Sequence, residues 1–286
     1  MTRSGPAPRE AGARGGRGSR WAAIRLARPV NCLMSGLAAV LGMLAGGAVS
    51  WWAAGWSTTC TVLVTAGGNT LNDHQDVEAD RMSHPERPLP MGQIGRAAAL
   101  SLALGEIAVA VALGWLVSSL FGLIVLIAVL TLLAYEWRLK AEGLPGNVAI
   151  GCLVGLAFVG GGAAAGDPWP SAGLGVLAAV AASGREIAKD IVDAPGDSAR
   201  RTWPMRVGVE RAGRGAAILL AAAVLLSPVP YLLGTLSVWY LAAVLAPDLM
   251  LAWAIRLLPS RPARAERLVK VGMLGVLGAF LVGVLT

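Results

Sequence analysis

The sequence predicts an all-α polytopic membrane protein of nine transmembrane helices, and composition, run length and charge placement each point that way. Of 286 residues, 56% are hydrophobic and 14% charged, against roughly 45–50% and about 25% in soluble domains. The apolar residues lie in unbroken runs, such as 102–134, interrupted by little except Glu106 and Ser118-Ser119. A soluble helix would instead show one apolar stripe. Runs of about 17–25 residues, enough to cross the hydrocarbon core, fall at 30–51, 57–75, 95–117, 120–137, 146–165, 171–189, 213–231, 236–258 and 268–286.

All 24 Lys and Arg lie before span 1 or where spans 2 and 3, 4 and 5, 6 and 7, and 8 and 9 are joined, with Arg96, Arg185, Lys189, Arg214, Arg256 and Lys270 just inside the adjoining span ends. None lies in the other loops or at the C-terminus. By the positive-inside rule the N-terminus is cytoplasmic and the C-terminus outside, in a multi-pass protein of the plasma membrane. Residues 1–22 read as a disordered basic cytoplasmic tail without the apolar stretch of a signal peptide, and 23–286 as a single transmembrane domain. The net charge of +7 reads as topology and attraction to anionic membrane lipids rather than nucleic acid binding. Cys32, Cys60 and Cys152 fall in or at the ends of spans and read as packing residues.

Taken in order, the spans concentrate their costly polar residues in two places. Span 1 opens on Asn31, and span 2 ends in Asn72-Asp73-His74-Gln75-Asp76-Val77-Glu78-Ala79-Asp80. If the helix continues, Asn72, Asp76 and Asp80 form one stripe that drifts only about 40° per step. Span 3 contains Glu106. Span 5 opens on Asn147 and carries Gly160-Gly161-Gly162, which suit close helix packing. Span 6 ends in Asp190, Asp193 and Asp197, spaced i, i+3, i+7. Span 8 carries Pro247-Asp248, read as a cap on a proline-induced break.

Both acidic clusters sit at C-terminal helix ends, where the macrodipole is already negative, so a cation is needed to hold them. The oxygen-only donors Asn72, Asp73, Asp76, Asp80, Asp190, Asp193 and Asp197 suit Mg²⁺, which takes one or two carboxylates plus phosphate oxygens. A diphosphate bridged between the clusters fits that chemistry. Arg87, Lys140, Arg185 and Lys189, with Asn72, are placed to bind it. His74 and His84 lack partners at zinc spacing. Asn31 precedes Asn72 by 41 residues and Asn147 precedes Asp190 by 43, so spans 1–4 and 5–8 read as parallel repeats with the site between them and span 9 added.

These residues resemble the UbiA superfamily of intramembrane prenyltransferases. Asn72-Asp73-x-x-Asp76-x-x-x-Asp80 with Arg87-Pro88-Leu89-Pro90-x-Gly92 is similar to its first signature, and Arg185-Glu186-Ile187-x-Lys189-Asp190-x-x-Asp193-x-x-x-Asp197 to its second. Arg28-Pro29-x-Asn31 and Leu144-Pro145-Gly146-Asn147 match lesser landmarks. The resemblance implies a central cavity open to lipid, a polyprenyl diphosphate held through Mg²⁺, and transfer of its allylic group to a lipophilic acceptor, with Asp76, Asp80, Asp190 and Asp193 catalytic. The Arg-Glu-Ile-x-Lys-Asp run resembles the archaeal ether-lipid branch, which implies geranylgeranyl diphosphate as donor and geranylgeranylglyceryl phosphate as acceptor. A 4-hydroxybenzoate acceptor is the alternative within the family, and a cation transporter the alternative outside it.

Overall fold

A computed structural model describes residues 17–47, 50–194 and 202–286. These residues are helical throughout, with no strand among them. The order is α1 (Arg17–Ala27), α2 (Pro29–Ala45), α3 (Trp51–Gln75), the short α4 (Val77–Ser83), α5 (Arg96–Val117), α6 (Ser119–Ala134), a π-helical turn (Tyr135–Leu139) and α7 (Lys140–Glu142). Then come α8 (Leu144–Ala165), α9 (Trp169–Asp193), α10 (Trp203–Val207), α11 (Val209–Leu226), α12 (Val229–Leu232), α13 (Val238–Leu257) and α14 (Pro262–Leu285).

Six helices among the described residues are long and apolar enough to cross a membrane, or seven if α1 and α2, bent by 53°, count as one. Neither α3 nor α9 is among them, and these are the helices that end in the two acidic clusters. Their polar residues lower the hydropathy that makes a span recognisable.

The helix beginning at Arg17 occupies part of the segment expected to be a disordered tail; the residues before it lie outside those described. Ala22 and Leu26 are buried while Arg20 and Arg25 are exposed, so this basic helix has a packed face. Arg28 turns the chain from α1 into α2 with φ 52, a left-handed conformation for a residue with a Cβ. Such a backbone costs on the order of 1–3 kcal/mol and persists only where the surroundings fix it.

Small residues bring the central helices together. A Cβ on Gly42 of α2 would run into the Phe158 carbonyl of α8, and one on Gly161 into the Ala39 carbonyl of α2. Gly155 and Gly175 meet in the same way between α8 and α9. Without a hydrophobic drive between helices in lipid, this close backbone approach supplies the van der Waals contact that holds them. The three consecutive glycines divide by direction: Gly161 packs on α2, Gly162 on Ser171 of α9, and Gly160 toward Phe121 at the wall of a central cavity. Pro247 does not break α13, which runs through it with the proline against Gly275 of α14.

Overpacking at a helix contact costs about 1–3 kcal/mol. Gly161→Val is therefore expected to lower the thermal unfolding midpoint in detergent, whereas Gly105→Ala, with no atom within 4 Å of the added Cβ, leaves it unchanged or higher. Equal midpoints for the two variants would contradict the packing account.

Candidate active site

A cavity of about 590 Å³ runs through the bundle. Its walls are apolar over most of their length, with Met34, Phe121, Ile124, Leu153, Leu177 and Phe280 among them, and one end carries Arg28, Asn72, Arg87, Glu136, Arg185 and Lys189. A smaller pocket shares Tyr135, Ile150 and Glu186 with it and adds Lys140, Asn147, Asp190 and Thr202. The ends of α3 and α9, the π-helical turn and the start of α8 thus meet at one mouth.

The first cluster does not form one stripe. α3 ends at Gln75 and the chain passes through Asp76, at φ −90 and ψ 5, before α4 begins. The kink divides the cluster. Asn72 donates to Glu136 Oε1 at 3.0 Å and Asp76 accepts from Lys140 Nζ at 2.7 Å. Lys140 also reaches Glu136, at 3.1 Å. On the other side Asp80 accepts from Arg87 at 2.6 and 2.7 Å, and Asp73 is held by Arg28 with Arg87 at 3.5 Å. Asp73 and Asp80, seven residues apart, therefore share Arg87.

Burial decides how much these pairs matter. The side chains of Asp73, Asp80 and Glu136 are 3%, 5% and 2% exposed, and a buried carboxylate is held in its ionised form only by a cation or by several donors. The π-helical turn contributes to this. Its wide geometry, of a kind that recurs at functional sites, presents Glu136 and Lys140 together toward α3.

At the second cluster Asp190 accepts from Asn147 of α8 at 2.9 Å. Asp193 is exposed and lines neither pocket, and Asp197 lies outside the described residues. Arg185 bridges Glu186 at 3.0 Å and Glu266 of α14 at 2.8 Å, while Lys189 lies 3.4 Å from Glu186. Of the five residues expected around a diphosphate, Asn72, Arg87, Arg185 and Lys189 line the main cavity and Lys140 the adjoining pocket.

Among the described residues no three acidic, histidine or cysteine side chains are gathered closely enough to hold a metal unaided. Of the expected ligands that are described, Asp73 and Asp80 pair with arginines and Asp193 is exposed. Asn147 contacts Asp190 at 2.9 Å, whereas Asn31 lies 3.5 Å from Asn69.

Sequence reasoning passed over Glu136 and gave Arg28 no role. Both carried a signal, being charges at the predicted ends of spans 4 and 1, where charge is expensive. Asp248 was read as capping a broken helix. Instead it accepts from Ser227 Oγ at 2.6 Å across to the end of α11 and lines the cavity, with Tyr240 donating to the Ser227 carbonyl at 2.7 Å. Glu106 packs beside Gly67 of α3, and its Oε2 has no hydrogen-bond partner. Trp203, which follows the second cluster, covers Gly143, whose φ of 82 makes the turn into α8.

Residues 32–281 match the UbiA prenyltransferase family. The chain is 38% identical to the digeranylgeranylglyceryl phosphate synthase of Methanopyrus kandleri, covering 92% of this chain and 98% of that one. It is 39% identical to the synthase of the same name from Halobacterium salinarum, covering 91% and 96%. The solved structure of a digeranylgeranylglyceryl phosphate synthase superposes with a TM-score of 0.77 at 29% identity, over 93% of this chain and 98% of that one. A UbiA homologue from Archaeoglobus fulgidus, bound to GPP and Mg²⁺, has a TM-score of 0.69 at 20% identity over 91% and 99%. That last likeness is one of fold.

Removing one partner of a buried ion pair typically costs about 3–5 kcal/mol. Arg87→Ala is expected to destabilise the substrate-free protein by that order, read as a lower unfolding midpoint in detergent. Adding Asp80→Asn should recover much of the loss; a double variant as unstable as the single one would show that the pairing is not the cause.

Proposed function

The chain belongs to the UbiA prenyltransferase family and is a multi-pass membrane enzyme that transfers prenyl groups, and we propose that it joins geranylgeranyl diphosphate to the hydroxyl of geranylgeranylglyceryl phosphate through an ether bond. Similarity to digeranylgeranylglyceryl phosphate synthases over more than nine-tenths of the chain carries this reading. The apolar cavity with a cationic mouth supports it.

In this reading the nine long helices, α2, α3, α5, α6, α8, α9, α11, α13 and α14, all cross the membrane, as two parallel repeats of four with α14 added. The charged mouth and the N-terminus face the cytoplasm and the C-terminus lies outside, in the plasma membrane, as the positive-inside rule requires.

The donor set fits Mg²⁺. Every candidate ligand is an oxygen, and because Mg²⁺ needs only one or two carboxylates beside substrate phosphate oxygens, the lack of a three-carboxylate cage is no obstacle. Asp76 and Asp80 with Asn72 and Asp73 on one side, and Asp190, Asp193 and Asp197 on the other, would hold it. When bound, the ion supplies positive charge against the leaving diphosphate.

The chain's own residues do the rest. Lys140 and Arg87, now held by Asp76 and Asp80, exchange part of that pairing for diphosphate oxygens, together with Arg185 and Lys189. They stabilise negative charge that grows as the allylic C1–O bond breaks and its electron pair leaves with the diphosphate. Asn72 and Asn147 orient Glu136 and Asp190. The apolar wall excludes the water that would otherwise capture the cation. The acceptor hydroxyl oxygen then bonds to C1 and its proton passes to the released diphosphate.

Labelled geranylgeranyl diphosphate offered with a panel of acceptors should give the ether lipid; labelled prenylated hydroxybenzoate without ether lipid would overturn the acceptor assignment. Asp76→Asn and Asp190→Asn should each lower kcat by roughly 10²–10³, the usual loss for a group that stabilises developing charge. EDTA should stop the reaction, and full turnover without any divalent cation would remove the metal role.

A further inference from the structure

The acceptor proposed above carries a phosphate of its own, next to the carbon that bears the reacting hydroxyl. Two anionic heads must then lie side by side at the mouth of one cavity. Their repulsion requires a cation for the second head that the first does not occupy.

Five cations line the cavity: Arg28, Arg87, Arg185, Lys189 and Lys270. The first two are held by Asp73 and Asp80, and the next two by Glu186 and Glu266. Lys270 alone of the five has no ion-pair partner among the described residues. It is also on a different wall, α14, away from the α3 and α4 side where Arg87 and Lys140 meet the first acidic cluster.

The face that presents Lys270 is fixed. Lys270, Met273, Leu277 and Phe280 line the cavity from one side of α14 at helical spacing. Glu266, one turn before Lys270, is tied to Arg185 of α9 at 2.8 Å. Lys270 thus stands just beyond that tie, and the wall past it is apolar.

Topology accounts for positive charge at this helix end but not for a cation on the cavity wall. Arg256, Arg261, Arg264 and Arg267 already supply positive charge at this end of α13 and α14, and all four are exposed. Lys270 is exposed as they are and stands at the start of the apolar run of α14, but of these basic residues it is the one that also lines the cavity.

We infer that Lys270 binds the phosphomonoester of the acceptor and so selects phosphorylated over unphosphorylated glyceryl ethers. This rests on the acceptor reading above. The experiment measures wild type, Lys270→Gln and Lys270→Arg with geranylgeranylglyceryl phosphate and with the same ether lacking phosphate. Lys270→Gln should raise KM for the phosphorylated acceptor on the order of tenfold, as loss of a charge-assisted hydrogen bond does, with KM for geranylgeranyl diphosphate unchanged. The preference for the phosphorylated acceptor should shrink by the same factor, and Lys270→Arg should restore it. An unchanged acceptor KM, an equal loss on both acceptors, or a raised KM for the prenyl diphosphate would each overturn the assignment. A wild-type enzyme that forms no ether product overturns the acceptor reading as well; an active wild type with an insensitive Lys270→Gln variant overturns only the role of Lys270.

Discussion

Asp73 near the end of α3 and Asp80 in α4 are both buried; Arg87 reaches the two of them, and Arg28 is the nearer partner of Asp73. A carboxylate in such a place is tolerable only with a positive partner, and the negative end of the α3 dipole makes the need greater. The loop from α4 to α5, the left-handed turn at Arg28 and the π-helical turn before α7 all bring cations to this one point. These three backbone irregularities gather where charge must be neutralised.

The same pairing prepares the site for an anionic substrate. Lys140 and Arg87 are already desolvated and aimed by Asp76, Asp80 and Glu136, so a diphosphate meets cations whose ordering cost has been met during folding. In the function proposed above, the carboxylates released from those cations would hold the metal. Such an exchange of partners would need no large movement of helices, which fits a bundle locked by glycine contacts at Gly42, Gly155 and Gly161.

Away from the mouth the chemistry becomes simple. The cavity wall is mostly aliphatic and aromatic, with Asp248 and Ser227 bonded to each other and so satisfied. An isoprenoid chain needs shape and dryness more than specific contacts. The selective groups therefore concentrate near the charged end, with Lys270 at the boundary.

The sequence alone determined the class, the long helices and the two acidic clusters. Apolar run length and the alternation of charge are one-dimensional quantities, fixed by bilayer thickness and by the cost of moving Lys and Arg across it. It also named Asn72, Arg87, Lys140, Arg185 and Lys189 as residues of one mouth, because charge at membrane depth is rare enough to be informative. Only the tertiary structure decided which cation meets which carboxylate. The i, i+4, i+8 stripe assumed an unbroken helix, and the kink at Asp76 sent Asp80 toward Arg87 and left Asp76 with Lys140. Glu136, Arg28 and the Ser227–Asp248 contact depend on residues from 21 to 64 positions apart in the chain coming together. Partner choice is a property of distances between helices, and no periodicity within a helix encodes it.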